Sequence, residues 1–391
     1  VESPVNFKIK KTILEKGAED YSLANKVREQ FQDGCLLRED QADQVSGLEG
    51  SDPDKETLRL VSFPGQLLKP CPGTREYLCC GYQILHIGTN CPLDCSYCIL
   101  QAYFNQPSLR VFVNVERQLE SIGEAFQAAG TRIFRIGTGE FTDSLALDPV
   151  VKWTEFLPPF VAKQKNVVLE FKTKTLSVEG LLSSPYRERI VVSWSLNSRF
   201  IAAREEHGAP SIKKRLEAAR SCQREGYTLG FHFDPLIEHP SWKEEYARTV
   251  DLLDHFIDAS KIIWISLGCL RYMPPLKKVI RRRFPETHIL DGEFIPGLDG
   301  KMRYIKPVRI EMCGFMKEKL AQYGIRSGVY LCMESSDVWL KALGWSPGTS
   351  KELSCYLDDR AIKVFGLPPF GASPSIRRGH SLASPQPDTP S

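Results

Sequence analysis

Between residues 82 and 268, short runs rich in β-branched and aromatic residues alternate with helix-like stretches. The runs cover 82–89, 132–137, 166–171, 190–196, 227–233 and 261–268, and the stretches between them 114–129, 149–163, 211–225 and 242–257. Helical spacing is clear in Ile212, Leu216, Ala219 and Cys222, which fall on one face at 3.6 residues per turn. Neighbouring parallel strands need a crossover long enough to hold a helix, so the alternation predicts parallel β/α units. Six strands suit a partial (β/α)6 barrel of the TIM type, open on one side. A flat doubly wound sheet gives the same alternation and stays open as the alternative. Both gather ligands at the C-terminal ends of the strands.

The flanks differ from this core. Residues 1–75 mix helical patterns with acidic, polar segments and a loop around Ser46, Gly47, Gly50, Ser51 and Pro53, which predicts a helical N-terminal extension without chemistry. The barrel is assigned to 76–290, with a basic helix at 276–284 near its end, and a C-terminal α+β extension to 291–367, with helices near 317–323 and 338–343. The stretch 368–391 is rich in Pro and Ser and is expected to be disordered. No apolar run approaches the ~18 residues that span a bilayer, and the first residues lack the apolar stretch of a signal peptide, so a cytoplasmic protein is expected. The chain opens on Val1 rather than Met, which leaves its true start open. A net charge of +3 is too small to argue for a nucleic-acid partner by itself.

The chain has twelve cysteines. A disulfide framework is not expected in a long chain without a secretion signal. Cys35, Cys222, Cys269, Cys313, Cys332 and Cys355 stand apart and read as core filler. The other six lie between positions 71 and 98. Among them Cys91-Pro-Leu-Asp-Cys95-Ser-Tyr-Cys98 has the spacing C-x3-C-x2-C directly after the first strand run. Cys95 and Cys98 are three apart, so one turn can aim both sulfurs at a point, and Pro92 and Asp94 favour a tight path from Cys91. Thiolates ligate iron–sulfur clusters and zinc. Three of them on a four-iron cluster leave one iron free to chelate a small molecule, the open position that chemistry needs. A zinc site with Cys79, Cys80 or His86 as fourth ligand is an alternative, and three unligated core cysteines another. Tyr97, an aromatic before the third cysteine, would shield a cluster from water.

The triplet resembles the signature of the radical S-adenosylmethionine superfamily. More narrowly, Cys95-Ser-Tyr-Cys98-Ile-Leu-Gln101 followed by Arg110-Val-Phe-Val-Asn114 resembles the spore photoproduct lyase family. So do Ser195-Leu-Asn197, Lys214-Arg-Leu-Glu-Ala-Ala219, Gly226-Tyr-Thr-Leu-Gly-Phe231, and Pro235 with Trp242 and Tyr246. The resemblance covers about half the chain, 91–285. It implies a partial β/α barrel, a [4Fe–4S] cluster on Cys91, Cys95 and Cys98, and S-adenosylmethionine on the open iron. It further implies a 5′-deoxyadenosyl radical that abstracts a hydrogen atom, a reducing partner such as flavodoxin or ferredoxin, and, in this family, repair of a crosslinked thymine dimer in DNA. The hard chemistry would belong to the cofactor.

Further candidates sit at the strand ends. Gly137-Thr-Gly139-Glu140 ends the second run; its glycines permit close approach of backbone to a ligand, and Glu140 can accept from the ammonium of S-adenosylmethionine. By resemblance Lys174 contacts the carboxylate of that cofactor. Ser195 and Asn197 end the fourth run as hydrogen-bonding groups for ribose or carboxylate, and Asp234 follows the fifth. His232 and His239 flank that lip, where a structural role is the plainer reading. The family carries a hydrogen-donating cysteine in the loop after strand two and a tyrosine after the third cysteine. Here Glu140 and Ile99 take those places, and an ionised carboxylate is no hydrogen-atom donor. Cys269 is a candidate substitute. Lys277, Lys278, Arg281, Arg282 and Arg283 can neutralise DNA phosphates, and Lys301, Arg303, Lys306 and Arg309 recur along a candidate hairpin with Tyr304. Cys71, Cys79 and Cys80 match no cluster signature. Three functions compete: a DNA-repair lyase, a radical enzyme acting on another nucleic acid, a peptide or a metabolite, and a non-catalytic iron–sulfur or zinc protein.

Overall fold

The computed structural model describes residues 8–30, 36–39 and 53–368. Cys35, the loop residues Ser46 to Ser51 and the tail beyond Pro368 lie outside the described residues. The core is one eight-stranded sheet. Its strands are β1 (Leu68–Pro70), β2 (Gln83–Leu85), β3 (Phe134–Gly137), β4 (Val167–Thr173), β5 (Ile190–Ser195), β6 (Thr228–Leu236), β7 (Ile262–Cys269) and β8 (Val329–Leu331). Their order across the sheet follows their order in the chain. From β2 to β8 every pairing is parallel, while β1 runs antiparallel to β2.

That order decides between the two architectures. A doubly wound sheet reverses its strand order at a switch point, and this sheet never reverses. Right-handed crossovers then all fall on one side, and the sheet curls into a half-barrel. All six expected strands are in it, with β8 added at the far edge. Strand β5 is buried at every position, as expected for a parallel strand covered on both faces.

The helices α1 (Val115–Ala128), α2 (Trp153–Ala162), α3 (Ile212–Arg224) and α4 (Trp242–Phe256) occupy the expected stretches. Helix α3 begins where Ser211 Oγ accepts from the Lys214 amide at 3.4 Å, an N-cap, and it buries Ile212, Leu216, Ala219 and Cys222. The expected helix 149–163 is divided by Lys152, whose φ of 62° is left-handed, into Asp148–Val151 and α2.

The N-terminal extension is richer in strand than its sequence suggests. Its described part has one helix, Ser22–Gln30, and parallel strands Lys11–Glu15, Leu36–Glu39 and Asp54–Val61. Ser108–Phe112 and Gly88–Thr89 complete a five-stranded sheet. Charged residues hid these strands. Glu15 lies 3.8 Å from Arg59 and 3.3 Å from Arg110 across the sheet, so polar positions are internal pairs. The first strand run, 82–89, therefore serves two sheets, and the cysteine loop hangs between them.

After β7 come α5 (Pro274–Arg283) and a three-stranded antiparallel sheet of Arg271–Tyr272, Phe294–Pro296 and Met302–Tyr304. Helices α6 (Lys306–Gln322), α7 (Ser336–Leu343) and α8 (Ser350–Phe365) close the C-terminal part. Among the described residues no helix is long and apolar enough to cross a membrane.

Candidate active site

A cavity of about 310 Å³ opens at the C-terminal ends of the barrel strands, and Cys91, Cys95 and Cys98 all line it. Hydrogen bonds from both sheets fix the loop that carries them. Asn90 turns the chain with φ of 64°, and its side-chain amide donates to Gln106 O and Ser108 O, each at 2.7 Å. Lys55, on the N-terminal sheet, donates to Cys91 O at 2.6 Å. The Cys98 amide closes a turn onto Cys95 O at 3.1 Å, and Gln101 Nε2 caps the same oxygen at 2.8 Å. Asp94 and Cys95 pair antiparallel with Glu206 and His207.

Tyr97 lines the cavity and is buried. Its hydroxyl donates to Glu206 Oε1. Glu206 also pairs with Arg215 of α3 at 2.5 Å, and Arg215 Nη1 donates to Ser195 O at 3.0 Å. Burial opposes the Glu206 charge, but Arg215 and Lys174 outweigh it and hold the carboxyl below its ordinary range. Lys174 Nζ stands 5.8 Å above the Tyr97 ring. Burial would lower its pKa, but Cys95 and Glu206 prevail and raise it. The ammonium therefore stays charged beside the thiols.

The lip beyond β3 and β4 is an ion-paired surface. Glu140 pairs with Lys172, and both line the cavity. Asp143 stitches the two strand ends together, accepting from the Lys174 amide at 2.8 Å and the Thr173 hydroxyl at 2.6 Å. Gly139 has no room for a side chain, because a Cβ there would come within 2.9 Å of the Lys172 backbone oxygen. Asp234 is held in a two-pronged pair by Arg271, at 2.9 and 3.0 Å, a geometry that fixes both partners.

Gly139, Glu140, Lys174, Ser195 and Asp234 thus share the cavity with the cysteines and Tyr97. Two candidates lie apart from it. Gly137 sits beneath Tyr82, whose hydroxyl would be 1.4 Å from a Cβ at that position. Asn197 is buried, donating to Pro235 O at 3.0 Å and accepting from Tyr246 at 2.6 Å, so it braces the β6 loop. His232 bridges Ser266 and Glu170 at 2.7 and 2.9 Å inside the sheet. His239 bonds Ser198 and Pro240 O, both at 2.8 Å. Both histidines are structural. Cys269 is buried 3.9 Å from Cys313, packed in the core rather than on the cavity wall. The basic residues also divide. Lys278, Arg281 and Arg282 face solvent, whereas Arg283 pairs with Asp94 at 2.7 Å and ties α5 to the cysteine loop. In the hairpin region Lys301 lines the cavity, but Arg303 is buried on Asp299 at 2.7 Å and Arg309 on Glu334. Lys306 and Arg309 belong to α6 rather than to the hairpin, since Pro307 opens that helix.

Glu206, Lys172, Asp143 and Arg271 carry no local signal in the sequence, because each meets a partner distant along the chain, and Arg215 stands in the sequence only as part of the Lys214–Ala219 run. The exposed hairpin residues Ile295 and Leu298 were equally silent.

The site suits an iron–sulfur cluster better than zinc. Among the described residues no three His, Cys, Asp or Glu converge closely enough for a single ion, whereas a four-iron cluster spreads its thiolates over separate corners. The fourth zinc ligands proposed do not face the cavity. His86 is enclosed by Phe63, Phe112 and Phe141, and burial lowers its pKa to about 4. Burial pushes the Cys91 thiol up to about 12, with Asp143 adding and Lys55 opposing, and it raises Cys95 likewise. Such thiols ionise when a cationic metal group takes them.

A sequence model of the spore photoproduct lyase family matches residues 7–306. The spore photoproduct lyase of Geobacillus sp. (strain Y412MC61) is 26% identical over 348 residues, 85% of this chain and 93% of that protein. That of Bacillus subtilis (strain 168) is 28% identical over 209 residues, 52% of this chain and 61% of that protein. A solved spore photoproduct lyase, a cysteine-to-alanine variant with dinucleoside spore photoproduct, has a TM-score of 0.73 at 26% identity and covers 83% of this chain and 99% of its own. A doubly substituted variant with bound AdoMet and dinucleoside spore photoproduct has a TM-score of 0.73 at 24% identity, covering 85% and 100%.

Proposed function

Because the chain belongs to the spore photoproduct lyase family, over residues 7–306, we propose that it binds a crosslinked thymine dimer of DNA at the mouth of its half-barrel and splits it. It is a radical S-adenosylmethionine enzyme of the lyase type. The observation that carries the reading is the meeting of Cys91, Cys95 and Cys98 in one cavity with the ion-paired lip. Cys91, Cys95 and Cys98 would hold a [4Fe–4S] cluster, which would supply reductive cleavage of S-adenosylmethionine and, through it, hydrogen-atom abstraction from the substrate.

The chain's own residues hold and shield these groups. Lys174 would meet the carboxylate of S-adenosylmethionine and Glu140 its ammonium, with Lys172 fixing the Glu140 carboxylate in place. Gly139 lets the backbone approach, and Ser195 offers a hydroxyl. Gly137 leaves room for Tyr82 beneath the strand end, and Asn197 braces the β6 loop. Asp234, locked by Arg271, holds the far wall. Tyr97 covers the cluster, its ring oriented by Glu206. Lys277, Lys278, Arg281 and Arg282 on α5 neutralise DNA phosphates, while Arg283 links that helix to the cluster loop. The exposed Leu298 lies at the hairpin tip beside the same mouth. A flavodoxin or ferredoxin is the proposed reductant.

A second reading keeps the radical chemistry and changes the substrate to another nucleic acid, a peptide or a metabolite. The Glu140–Lys172 pair favours it, because a charged pair lines the cavity where the family carries a cysteine. One experiment separates the two. The reconstituted enzyme with dithionite and S-adenosylmethionine is incubated anaerobically with dinucleoside spore photoproduct. The lyase reading expects 5′-deoxyadenosine and free thymidine units. Formation of 5′-deoxyadenosine with the lesion intact overturns it, and absence of 5′-deoxyadenosine overturns both.

A further inference from the structure

A lyase that breaks a carbon–carbon bond through a radical leaves a carbon radical on its product. Closing that valence takes a hydrogen atom from a bond weaker than the C–H formed. Among side chains a thiol meets this condition best, and the Glu140 carboxyl, paired with Lys172, does not, since an O–H bond is stronger than the C–H to be formed. Besides the three cluster cysteines, one further thiol lines the cavity among the described residues, that of Cys71. We propose that Cys71 is the hydrogen-atom donor to the product radical. This inference rests on the lyase reading above.

The geometry around Cys71 is that of a placed group. Its amide donates to Tyr82 O at 2.9 Å, continuing the β1–β2 pairing, and its carbonyl accepts from Gly73 at 2.7 Å in a tight turn. A Cβ at Gly73 would fall 2.6 Å from Cys79 Sγ. The turn therefore packs directly on the Cys79 thiol, which neighbours both Cys71 and Cys80. Cys79 is itself anchored, its amide donating to Ser350 Oγ at 2.9 Å. The Leu78 amide donates to Glu334 O at 3.0 Å, and Arg135 holds Cys80 O. A flexible loop tip would show few such ties. Cys71, Cys79 and Cys80 are all partly buried, and of the three Cys71 lines the cavity.

The step balances as one hydrogen atom. The Cys71 S–H bond breaks, a C–H bond forms on the product, and a thiyl radical remains on Cys71. That radical passes to Cys79 by the reverse exchange, Cys79 giving its hydrogen atom to Cys71. One electron from the low-potential reductant that serves the cluster, with one proton from solvent, restores the thiol. The triad thereby gains a chemical role that its spacing as a cluster motif did not supply.

The test compares wild type with Cys71→Ala, Cys71→Ser and the core control Cys222→Ala in deuterium oxide, where thiols carry deuterium. Wild type is expected to place one deuterium in the product per turnover. Cys71→Ala and Cys71→Ser are expected to keep wild-type iron content and 5′-deoxyadenosine formation while deuterated product falls at least tenfold, and Cys222→Ala to behave as wild type. Undiminished deuterium transfer in both Cys71 variants overturns the donor assignment alone. Loss of iron in Cys71→Ser overturns it too, by making Cys71 a ligand. A wild type that forms 5′-deoxyadenosine and leaves the lesion intact overturns the lyase reading and the donor with it.

Discussion

The two walls of the cavity are built in different ways. The cysteine wall is local: three ligand positions fall within eight residues, and neighbouring backbone closes the loop on itself. The opposite wall is assembled from the ends of β3, β4, β6 and β7, and its charged groups meet only because those strands lie side by side. Glu140 and Lys172 are 32 positions apart, Asp234 and Arg271 37. The first wall carries the three cysteines of the C-x3-C-x2-C motif, with Ile99 directly after the third. The second holds the Glu140–Lys172 pair. The ligand positions of the first wall are set by spacing along the chain, whereas the second wall is set by which strand ends the sheet brings side by side.

The sharpest way to break this contrast is at the local wall. Cys98→Ala is expected to abolish cluster assembly, leaving iron content and 5′-deoxyadenosine formation near background. Iron analysis and anaerobic product assay check it. A variant that retained iron and cleaved S-adenosylmethionine would move the ligand set elsewhere.

Next is the support beneath that wall. Glu206 is buried with Arg215, and removing one partner of such a pair typically costs about 3–5 kcal/mol because the other charge is left uncompensated. Glu206→Gln is expected near the lower end, since Arg215 also donates to Pro210 O and Ser195 O. Urea unfolding measures it. An unchanged midpoint would mean that the Tyr97 support is dispensable.

Legibility in the sequence followed the same division. The triplet, Tyr97 and the six barrel strands were readable because spacing and periodicity are local signals. Lys174, Ser195 and Asp234 were readable as strand ends. Glu206 was not: its link to Tyr97 spans 109 positions, and nothing near either residue announces the other. The N-terminal strands were missed for a related reason. Arg59 and Glu15 look like surface charges in the chain and become a buried cross-strand pair once the sheet forms. Asn197 reads as a strand end as Ser195 does, while its side chain donates to Pro235 O and accepts from Tyr246, contacts that no local pattern announces.

Both walls stand on a polar knot in the sheet interior, which allows a test by pH. Glu170 accepts from Trp264 at 2.7 Å, from Ser193 and from His232. Burial opposes its charge, yet these partners lower its pKa from 4.5 to about 2. A carboxyl depressed in the folded state stabilises fully above its unfolded value and loses that contribution as pH falls toward the folded one. Stability is therefore expected to drop by roughly 3 kcal/mol between about pH 4.5 and pH 2 from this group. Glu170→Gln should be less stable at pH 6 and should lack that part of the acid limb. Urea midpoints at pH 6 and pH 3 check it, and parallel acid limbs in the two proteins would remove Glu170 from the account.

The smallest expected effect lies on the assembled wall itself. The Glu140–Lys172 pair is partly exposed, with side chains 30% and 21% accessible, so its worth to stability is within about 1 kcal/mol. Its proposed value is to binding. Glu140→Gln keeps the size and one acceptor oxygen but loses the charge that faces the ammonium of S-adenosylmethionine. Affinity for that cofactor is expected to fall about tenfold, or ~1.4 kcal/mol, with iron content and urea midpoint nearly unchanged. Titration of the reconstituted protein with S-adenosylmethionine measures it directly. Unaltered affinity together with a changed yield of split dimer would place Glu140 on the substrate instead. The assembled wall would then be the wall that chooses what the radical attacks, and the cofactor's ammonium would be left to Gly139 and its neighbouring backbone.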